Sequence, residues 1–455
     1  MLGPFFFMWF CSGIVMMYVP FPSIPEKAQF AYMSPVDTDA INISPAKAVA
    51  ECGLATISSL RLITFNTRPT YVCNSTKLGL KVIYADDGTR ASPLTRVEAG
   101  HLVERFTSEP ITVIAESEYD QWTVHQNFDS LRPLYRIEMA DQDRTHLYIT
   151  PKTGELVQRT TRSQRFWNYI GSVPHWIYPT LLRKDWVAWD LVVWWLSLFG
   201  SLCAITGVYL GVVHWTRVRR SSRTALSLFR GWMRWHHILG LFVGLVIVSW
   251  IVSGWLSMDH GRLFSSPSPT NEVAEVVRGG SYGAMSGRAS IADLSTYPPA
   301  MEFSFHAFDG VPIIVGKTIK GPFTLSALNP DLVAKVVDKA FSGGLVQRWG
   351  FVSPNDIYTQ LREGQLPENT IRVELSDPYK TWVHIDGRSG EILSIMDQSR
   401  RIYRWLFNGL HSLDVPGLAD KRPLWDILML ALLLAGSAAS LTSVVLGLKR
   451  IMTSR

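Results

Sequence analysis

This chain contains few cysteines and a low proportion of charged residues. The 455 residues include only four cysteines, and Asp, Glu, Lys and Arg together make up 18% of them. A disulfide-dense secreted module needs many cysteines, and a disordered scaffold needs high charge with low hydrophobicity, so both classes are excluded. Hydrophobic residues make up 47% of the chain and include 17 tryptophans. That composition is typical of a membrane protein.

The chain also lacks the short signatures of several enzyme classes. It has no C-x-x-C pair for thiol redox chemistry or zinc, and no G-x-S-x-G or H-E-x-x-H motif, which argues against a serine hydrolase or a zinc protease. Its glycine cluster, Gly279-Gly280-x-x-Gly283, follows no predicted strand, so we expect no flavin or nicotinamide site in this chain. The net charge is +6, and the lysines and arginines cluster beside apolar runs. This location disfavours nucleic acid as a partner.

Four segments are apolar and long enough to cross a bilayer, which takes about 20 helical residues. They are residues 1–19, 186–215, 235–258 and 424–448. The first lacks the basic start and the A-x-A cleavage site of a signal peptide, so we expect it to be retained as a helix. The sequence therefore predicts a bundle of four transmembrane helices in contact with the lipid bilayer.

Positive charge predicts the orientation of these helices. Residues 216–234 contain no acidic residue, and the tail 449–455 is also basic. By the positive-inside rule both are cytoplasmic, so a reporter fused in the first should be cytoplasmic. The polar segments 20–185 and 259–423 then lie on the opposite side, which for the inner membrane of a bacterium is the periplasm. The arginines of the first basic segment are Arg217, Arg219, Arg220, Arg223, Arg230 and Arg234.

The cysteines fall into two groups. Cys11 and Cys203 lie in predicted spans, where a buried thiol behaves as a small hydrophobic group. Cys52 and Cys73 lie in the first polar segment, on the side where oxidation is permitted. The sequence leaves a disulfide between them open.

The sequence repeats itself internally. An offset of 236 positions pairs RIEMAD (136–141) with RVELSD (372–377), and THLYITPKTGEL (145–156) with TWVHIDGRSGEI (381–392). So many matches at one offset predict two copies of one unit, made of a helix, a polar domain and a second helix. The same offset pairs His175 with His411 and Trp189-Asp190 with Trp425-Asp426, and an offset of 241 pairs Gly3, Trp9, Ser12 and Gly13 with Gly244, Trp250, Ser253 and Gly254.

The polar domains have the pattern of a helix laid on an antiparallel sheet. Ser44 and Asn329 each precede a proline at the first position of a predicted helix, which is a helix-capping pattern. Alternating strands follow in both copies and are joined by glycine-containing turns. The predicted fold class is therefore an α+β membrane protein with two α+β periplasmic domains.

Two sets of motifs resemble a known family. The turn Asp386-Gly-Arg-Ser-Gly-Glu391 between two strands resembles the signature of a PepSY domain. The motifs Trp235-His236-x-x-x-Gly240-Leu241 and Leu410-His411 resemble those of the PepSY-associated transmembrane family. The resemblance implies a haem-bearing inner-membrane protein similar to ferric-siderophore reductases. Some members are fused to a flavin reductase domain. Because we expect no flavin or nicotinamide site in this chain, we expect its electrons to arrive from another molecule.

Histidine is the residue type best suited to hold a haem. A b-type haem inside a helical bundle needs two imidazoles that face each other at similar depth. His175 and His411 both lie near the predicted periplasmic edge, and both copies keep this histidine at the same spacing before a Trp-Asp pair. We expect these two residues to hold one haem between the two copies.

A second haem site is predicted near the cytoplasmic edge. His236 and His237 are adjacent and separated by about 100° of helix rotation, so we expect only one to face the bundle. The family motif selects His236, with His214 as its available partner, and we expect His237 to point away. The counterpart of His236 in the first copy would precede Met1, so the sequence leaves open whether the true start lies upstream or this copy has lost a ligand.

These patterns predict an oxidoreductase that passes electrons through one or two b haems. The donor would be a quinol or a cytoplasmic reductase, and the acceptor a periplasmic ferric chelate such as a ferric siderophore. The alternative is a non-enzymatic PepSY module that binds or regulates a periplasmic protease or an assembly partner. A metal-uptake accessory without redox chemistry is a third reading. The number of haems and the identity of donor and acceptor stay open.

Overall fold

The computed structural model describes residues 2–53, 57–75, 79–221, 225–260, 270–353, 356–358, 360–361 and 364–453. Within this part the α-helices are α1 (Gly3–Tyr18), α2 (Glu26–Phe30), α3 (Pro45–Cys52), α4 (Arg96–Glu104), α5 (Arg162–Ile170), α6 (Ser172–His175), α7 (Thr180–Arg183), α8 (Trp186–Ser221), α9 (Gly231–Ser257), α10 (Asn271–Arg278), α11 (Tyr282–Ser286), α12 (Ile291–Leu294), α13 (Pro330–Ala340), α14 (Gln398–Arg404) and α15 (Leu424–Thr453). A 3₁₀ turn spans Gln126–Leu131 and a π-helical turn spans Trp405–Gly409.

The strands of the same residues are β1 (Ile57–Phe65), β2 (Arg68–Ser75), β3 (Gly79–Tyr84), β4 (Ile111–Ser117), β5 (Leu134–Met139), β6 (His146–Ile149), β7 (Leu156–Thr160), β8 (Glu302–Phe308), β9 (Val311–Thr318), β10 (Gly321–Phe323), β11 (Val346–Phe351), β12 (Gln360–Leu361), β13 (Gly364–Gln365), β14 (Thr370–Leu375), β15 (Trp382–Asp386) and β16 (Ile392–Met396).

The chain divides into two compact units. We call them the helical unit and the mixed unit. The helical unit comprises Met1–Phe21, Ser163–Ser265 and Arg400–Arg455, and the mixed unit comprises Pro22–Arg162 and Ser266–Ser399.

Three helices of the helical unit are long and apolar enough to cross a membrane, namely α8, α9 and α15. The sequence analysis predicts a fourth span over residues 1–19, where the structure has the 16-residue helix α1. At about 1.5 Å per residue this helix is about 24 Å long, shorter than the roughly 30 Å of a hydrocarbon core. Helix α8 continues to Ser221, into the predicted basic loop, and Arg223 lies outside the described residues.

Close helix contacts in this unit depend on small residues. Helix α8 packs on α9, α9 packs on α15, and α15 packs on α1. A Cβ atom added to Gly244 would lie 2.8 Å from Val208 Cγ2, and one added to Gly436 would lie 2.6 Å from Phe10 Cδ1. Glycine at these positions therefore lets the helix backbones approach each other closely, as is common between helices in membranes.

The mixed unit consists of antiparallel sheets with helices, as the sequence predicts. One sheet has six strands in the order β10-β9-β8-β1-β2-β3, and two have four strands in the orders β4-β5-β6-β7 and β11-β14-β15-β16. The short strands β12 and β13 form a hairpin. The predicted capping residues also act as expected, because Ser44 accepts a hydrogen bond from the Lys47 amide and Asn329 accepts one from the Asp331 amide.

The two polar segments are joined in the structure. The sequence predicts separate domains over 20–185 and 259–423, but β1 from the first and β8 from the second pair within the six-stranded sheet. In this pairing Leu62 faces Phe303, and these two residues are 241 positions apart, the offset that also relates α1 to α9. The ends of both segments, from Ser163 and from Arg400, belong instead to the helical unit.

The disulfide that the sequence left open is formed. Cys52 at the end of α3 is bonded to Cys73 in β2, with their Cα atoms 6.3 Å apart. Both residues are buried in the core beneath the six-stranded sheet. Cys11 and Cys203 are free thiols.

Candidate functional site

His175 and His411, which the sequence analysis predicted to share a site, lie next to each other in the helical unit. His175 is the last residue of α6, and His411 follows the π-helical turn. The centroids of the two imidazole rings are 6.4 Å apart, and the ring planes are inclined by 74°. The structure therefore brings together two residues that are 236 positions apart in sequence.

Hydrogen bonds to α1 determine which ring nitrogen of His175 is free. The Nδ1 atom lies 2.9 Å from Ser12 Oγ and 3.2 Å from the Trp9 carbonyl oxygen. The Ser12 hydroxyl donates its own proton to the Trp9 carbonyl at 3.1 Å, so its oxygen accepts from His175. The proton is therefore on Nδ1, and Nε2 keeps the lone pair with which imidazole binds metals.

His411 has the same arrangement on α9. Its Nδ1 atom lies 3.0 Å from Ser253 Oγ and 3.2 Å from the Trp250 carbonyl oxygen. The Ser253 hydroxyl donates to the Trp250 carbonyl at 3.1 Å, so the Nδ1 of His411 also carries the proton. Hydrogen bonds of this kind orient metal-binding histidines and raise their basicity.

The indoles of the same two tryptophans hold the backbone next to each histidine. Trp9 Nε1 donates to the His175 carbonyl oxygen at 3.0 Å, and Trp250 Nε1 donates to the Leu410 carbonyl oxygen at 3.1 Å. One turn of a single helix thus binds both the ring of each histidine and the backbone at or next to it. The sequence carries this turn twice as Trp-x-x-Ser-Gly, at residues 9–13 and 250–254. The repeat marked these positions, but sequence reasoning assigned the serines no role.

The glycine of each motif lies against the edge of the imidazole. A Cβ atom added to Gly13 would lie 3.7 Å from His175 Cε1, and one added to Gly254 would lie 3.5 Å from His411 Cε1. A side chain larger than alanine would extend into the space beside the rings. Burial lowers the pKa of both imidazoles to about 4, so both are neutral near pH 7. The neutral form is the one that binds metals.

The spacing of the two rings fits a single metal ion between them. Imidazoles that bind one ion from opposite sides, at about 2.0 to 2.1 Å per bond, have ring centres roughly 6 Å apart. Two neutral imidazoles are also the donor set of a b-type haem in a helical bundle. Among the described residues no group of three or more His, Cys, Asp or Glu side chains could hold an ion. With both Nδ1 atoms hydrogen-bonded, the two histidines fit a cofactor that binds imidazole through Nε2.

His236 shows the same hydrogen bonding at the other predicted site. Its Nδ1 atom lies 2.9 Å from Thr442 Oγ1 in α15, and the Thr442 hydroxyl donates to the Ala439 carbonyl oxygen. His236 therefore also carries its proton on Nδ1 and keeps the lone pair on Nε2. Thr442 is another supporting residue that sequence reasoning missed.

The prediction for His237 is wrong. We expected it to point away from the bundle, but it is buried, and its Nε2 atom donates to the Gly211 carbonyl oxygen of α8 at 3.0 Å. Its ring centroid is 6.2 Å from that of His214, so His214 has His237 as its neighbour rather than the expected His236. The physical reason is that α9 has a helix on each side, with α8 next to His237 and α15 next to His236.

Comparison with models of known protein families gave no match, and comparison with curated proteins gave none either.

Proposed function

We propose that this chain is a b-haem electron-transfer protein of the bacterial inner membrane, related to the PepSY-associated transmembrane family. The observation that carries the proposal is the pairing of His175 with His411, each with its Nε2 lone pair available. Each histidine has a serine and a tryptophan carbonyl as partners, His175 on α1 and His411 on α9. Two imidazoles matched in this way suit one ligand shared between two similar halves.

The same contacts support an internal duplication. The serine, tryptophan and glycine around His175 recur around His411 at the offset of 241 that the sequence shows. The pairing of β1 with β8 is centred on residues with that same separation. In the proposed architecture α1 is the fourth span, and the mixed unit contains two PepSY-like copies that share a sheet.

His175 and His411 together would hold the haem. Ser12 and Ser253 keep the Nδ1 protons in place so that both Nε2 atoms can bind, and Gly13 and Gly254 keep the adjacent space open. A haem bound here would supply one-electron transfer. A second haem would be bound through His236, whose sequence neighbour His237 is paired with His214.

The proposed orientation places the mixed unit in the periplasm. The arginine-rich segment 216–234, which includes the end of α8 and the start of α9, favours a cytoplasmic location for that end of the bundle. The disulfide between Cys52 and Cys73 supports an oxidising compartment for the mixed unit. The electron acceptor is then a periplasmic ferric chelate, because reduction to Fe(II) weakens its bonds to hard oxygen ligands. The donor is a quinol or a cytoplasmic reductase.

A visible spectrum of the purified protein tests the proposal. Protein from haem-replete cells should show a low-spin b-type spectrum that dithionite reduces. The haem should be extractable, since the chain has no C-x-x-C-H motif for covalent attachment. The control is the His236→Ala variant, which should keep the signal of the site at His175 and His411. A colourless preparation would reject electron transfer and favour the non-enzymatic PepSY module that binds a periplasmic partner.

A further inference from the structure

A cavity of about 230 Å³ lies within the mixed unit. Its walls come from α10, α11, β8 and the turn that precedes β16. Three side chains with charge or proton-transfer capacity line it, namely Arg278, His306 and Glu391. None of them takes part in the histidine sites of the helical unit.

Opposite charges line this cavity without pairing with each other. The Arg278 guanidinium lies over the Tyr282 ring at 5.4 Å and donates to the Gly280 carbonyl oxygen at 3.4 Å, but it makes no ion pair with any side chain in the described ranges. Glu391 Oε1 lies 3.2 Å from His306 Nδ1. Burial raises the pKa of Glu391, but the adjacent His306 and the charge of Arg278 outweigh burial, so its pKa lies below the usual value. Glu391 is therefore ionised near pH 7.

The cavity is preformed by backbone contacts. The Gly310 amide donates to the Arg278 carbonyl oxygen at 2.9 Å, and the Asp309 amide donates to the Val277 carbonyl oxygen at 2.9 Å. The Tyr282 hydroxyl accepts from the Leu60 amide at 3.2 Å and donates to a carbonyl oxygen of β8. The end of α10 and the Tyr282 ring are thus held in place. Binding of a ligand would therefore cost little free energy for ordering these groups.

The equivalent position in the first copy differs in one decisive way. Glu155, which is 236 positions before Glu391, is bound by both terminal nitrogens of Arg61 at 2.8 and 3.1 Å. Phe65 occupies the place that is 241 positions before His306. In the first copy Glu155 is therefore already paired with Arg61. In the second copy it borders a cavity that also contains a cation with no ion-pair partner among the described residues.

We propose that this cavity binds a small zwitterion of the α-amino acid class. The carboxylate would bind Arg278, the ammonium group would bind Glu391, and the short apolar side chain would contact Val277 and Ile392. A cavity volume of about 230 Å³ suits a small amino acid and not an iron chelate of several hundred daltons. The site is independent of electron transfer and goes beyond that function.

Calorimetric titration of the purified full-length protein tests this site. The probes are L-alanine with propionate and ethylamine, and L-valine with 3-methylbutanoate and 2-methylpropylamine. Each set contains the zwitterion, the acid without the amino group and the amine without the carboxylate. At least one amino acid should bind about tenfold more tightly than both of its analogues, because two charge-assisted contacts form instead of one.

Substitutions assign the two charges. Arg278→Gln should reduce the affinity for the amino acid to that of the amine, and Glu391→Gln should reduce it to that of the acid. Arg348→Gln removes an exposed cation of the same unit and should change nothing. Glu391 is 55% exposed, so its variant should fold even if the Arg278 variant does not. Absence of amino-acid binding, equal affinity for the three probes of a set, or unchanged binding by Glu391→Gln would each overturn the proposal.

Discussion

His175 and His411 lie with ring centroids 6.4 Å apart, and each is bound through Nδ1 by a serine one helix turn from a tryptophan. The serines come from two different helices, since Ser12 lies in α1 and Ser253 lies in α9. Because both Nδ1 atoms are occupied, both Nε2 atoms are the available metal ligands. The relationship between these two residues gives the proposed haem site its sharpest tests.

Loss of either ligand should empty the same site. We expect His175→Ala and His411→Ala each to remove one haem per protein, and the double variant to lose no more than the single variants, since ligands of one ion act as a unit. Haem content per protein, measured after extraction, checks this. Additive loss would mean that each histidine serves a different haem, and full retention in both would leave the pair with a structural role only.

The supporting serines should matter nearly as much as the ligands. Ser12→Ala or Ser253→Ala removes the acceptor that fixes the Nδ1 proton, and we expect haem affinity to fall by about 10 to 100-fold. Thr206→Ala is the matched control, because its hydroxyl bonds only to carbonyl oxygens of its own helix. Competition with apomyoglobin for haem measures the affinity. Equal affinity in the serine variants and in the control would contradict the assigned role of the serines.

The adjacent histidines of α9 should have different phenotypes. His236→Ala should remove the proposed cytoplasmic-side haem, because His236, unlike His237, has its Nδ1 next to a hydroxyl in the part of the chain that the structure describes. It should leave the proposed haem at His175 and His411, which does not use His236. His237→Ala should leave the haem content unchanged but lower the melting temperature, since it removes a buried ring and its hydrogen bond to Gly211. Haem content and thermal unfolding of both variants check this. Haem loss in His237→Ala alone would reverse the two roles.

Sequence patterns predict the long helices and the histidine pair for physical reasons. An apolar run of about 20 residues or more forms a helix in lipid because its backbone polar groups must pair internally, so α8, α9 and α15 were predictable. The starts of α8 and α15 and the end of α9 agree with the predicted spans to within one residue. The pair of His175 and His411 was predictable because each copy repeats the same histidine at the same spacing. The serines that hydrogen-bond to Nδ1 were not predictable, because serine is common in helices. Ser12, for example, is 163 positions from its partner His175.

Other features depend on contacts that periodicity does not encode. The pairing of β1 with β8 joins Leu62 and Phe303, which are 241 positions apart, and each strand alone has the pattern of an ordinary buried strand. The helical rotation between His236 and His237 correctly separates the two rings. It does not reveal that both faces of α9 are covered by other helices, which is why the expectation for His237 failed.

Acid should destabilise the shared sheet through Glu302. Its side chain is 4% exposed and lies 2.7 Å from Arg61 and 3.2 Å from Lys317. Burial raises its pKa, but these two cations outweigh burial and lower the pKa to about 2, against 4.5 for the ordinary carboxyl group. Because the folded-state value is depressed, the stabilisation is present above pH 4.5 and is lost as the pH falls towards 2.

We therefore expect the free energy of unfolding of the mixed unit to fall over that pH range by about 3 kcal/mol from this residue. Glu302→Gln should be less stable near pH 6 by about 3 to 5 kcal/mol, because Arg61 and Lys317 lose a buried partner, and it should lack this part of the acid dependence. Glu116→Gln removes an exposed carboxylate that pairs with Arg96 at 3.4 Å, so it should cost less than about 1 kcal/mol and keep the acid dependence. Urea unfolding of the full chain at pH 6 and at pH 3 compares the three proteins. If Glu302→Gln loses as much stability between these two pH values as the unaltered protein does, the acid sensitivity arises from other carboxylates and the network around Arg61 is not its source.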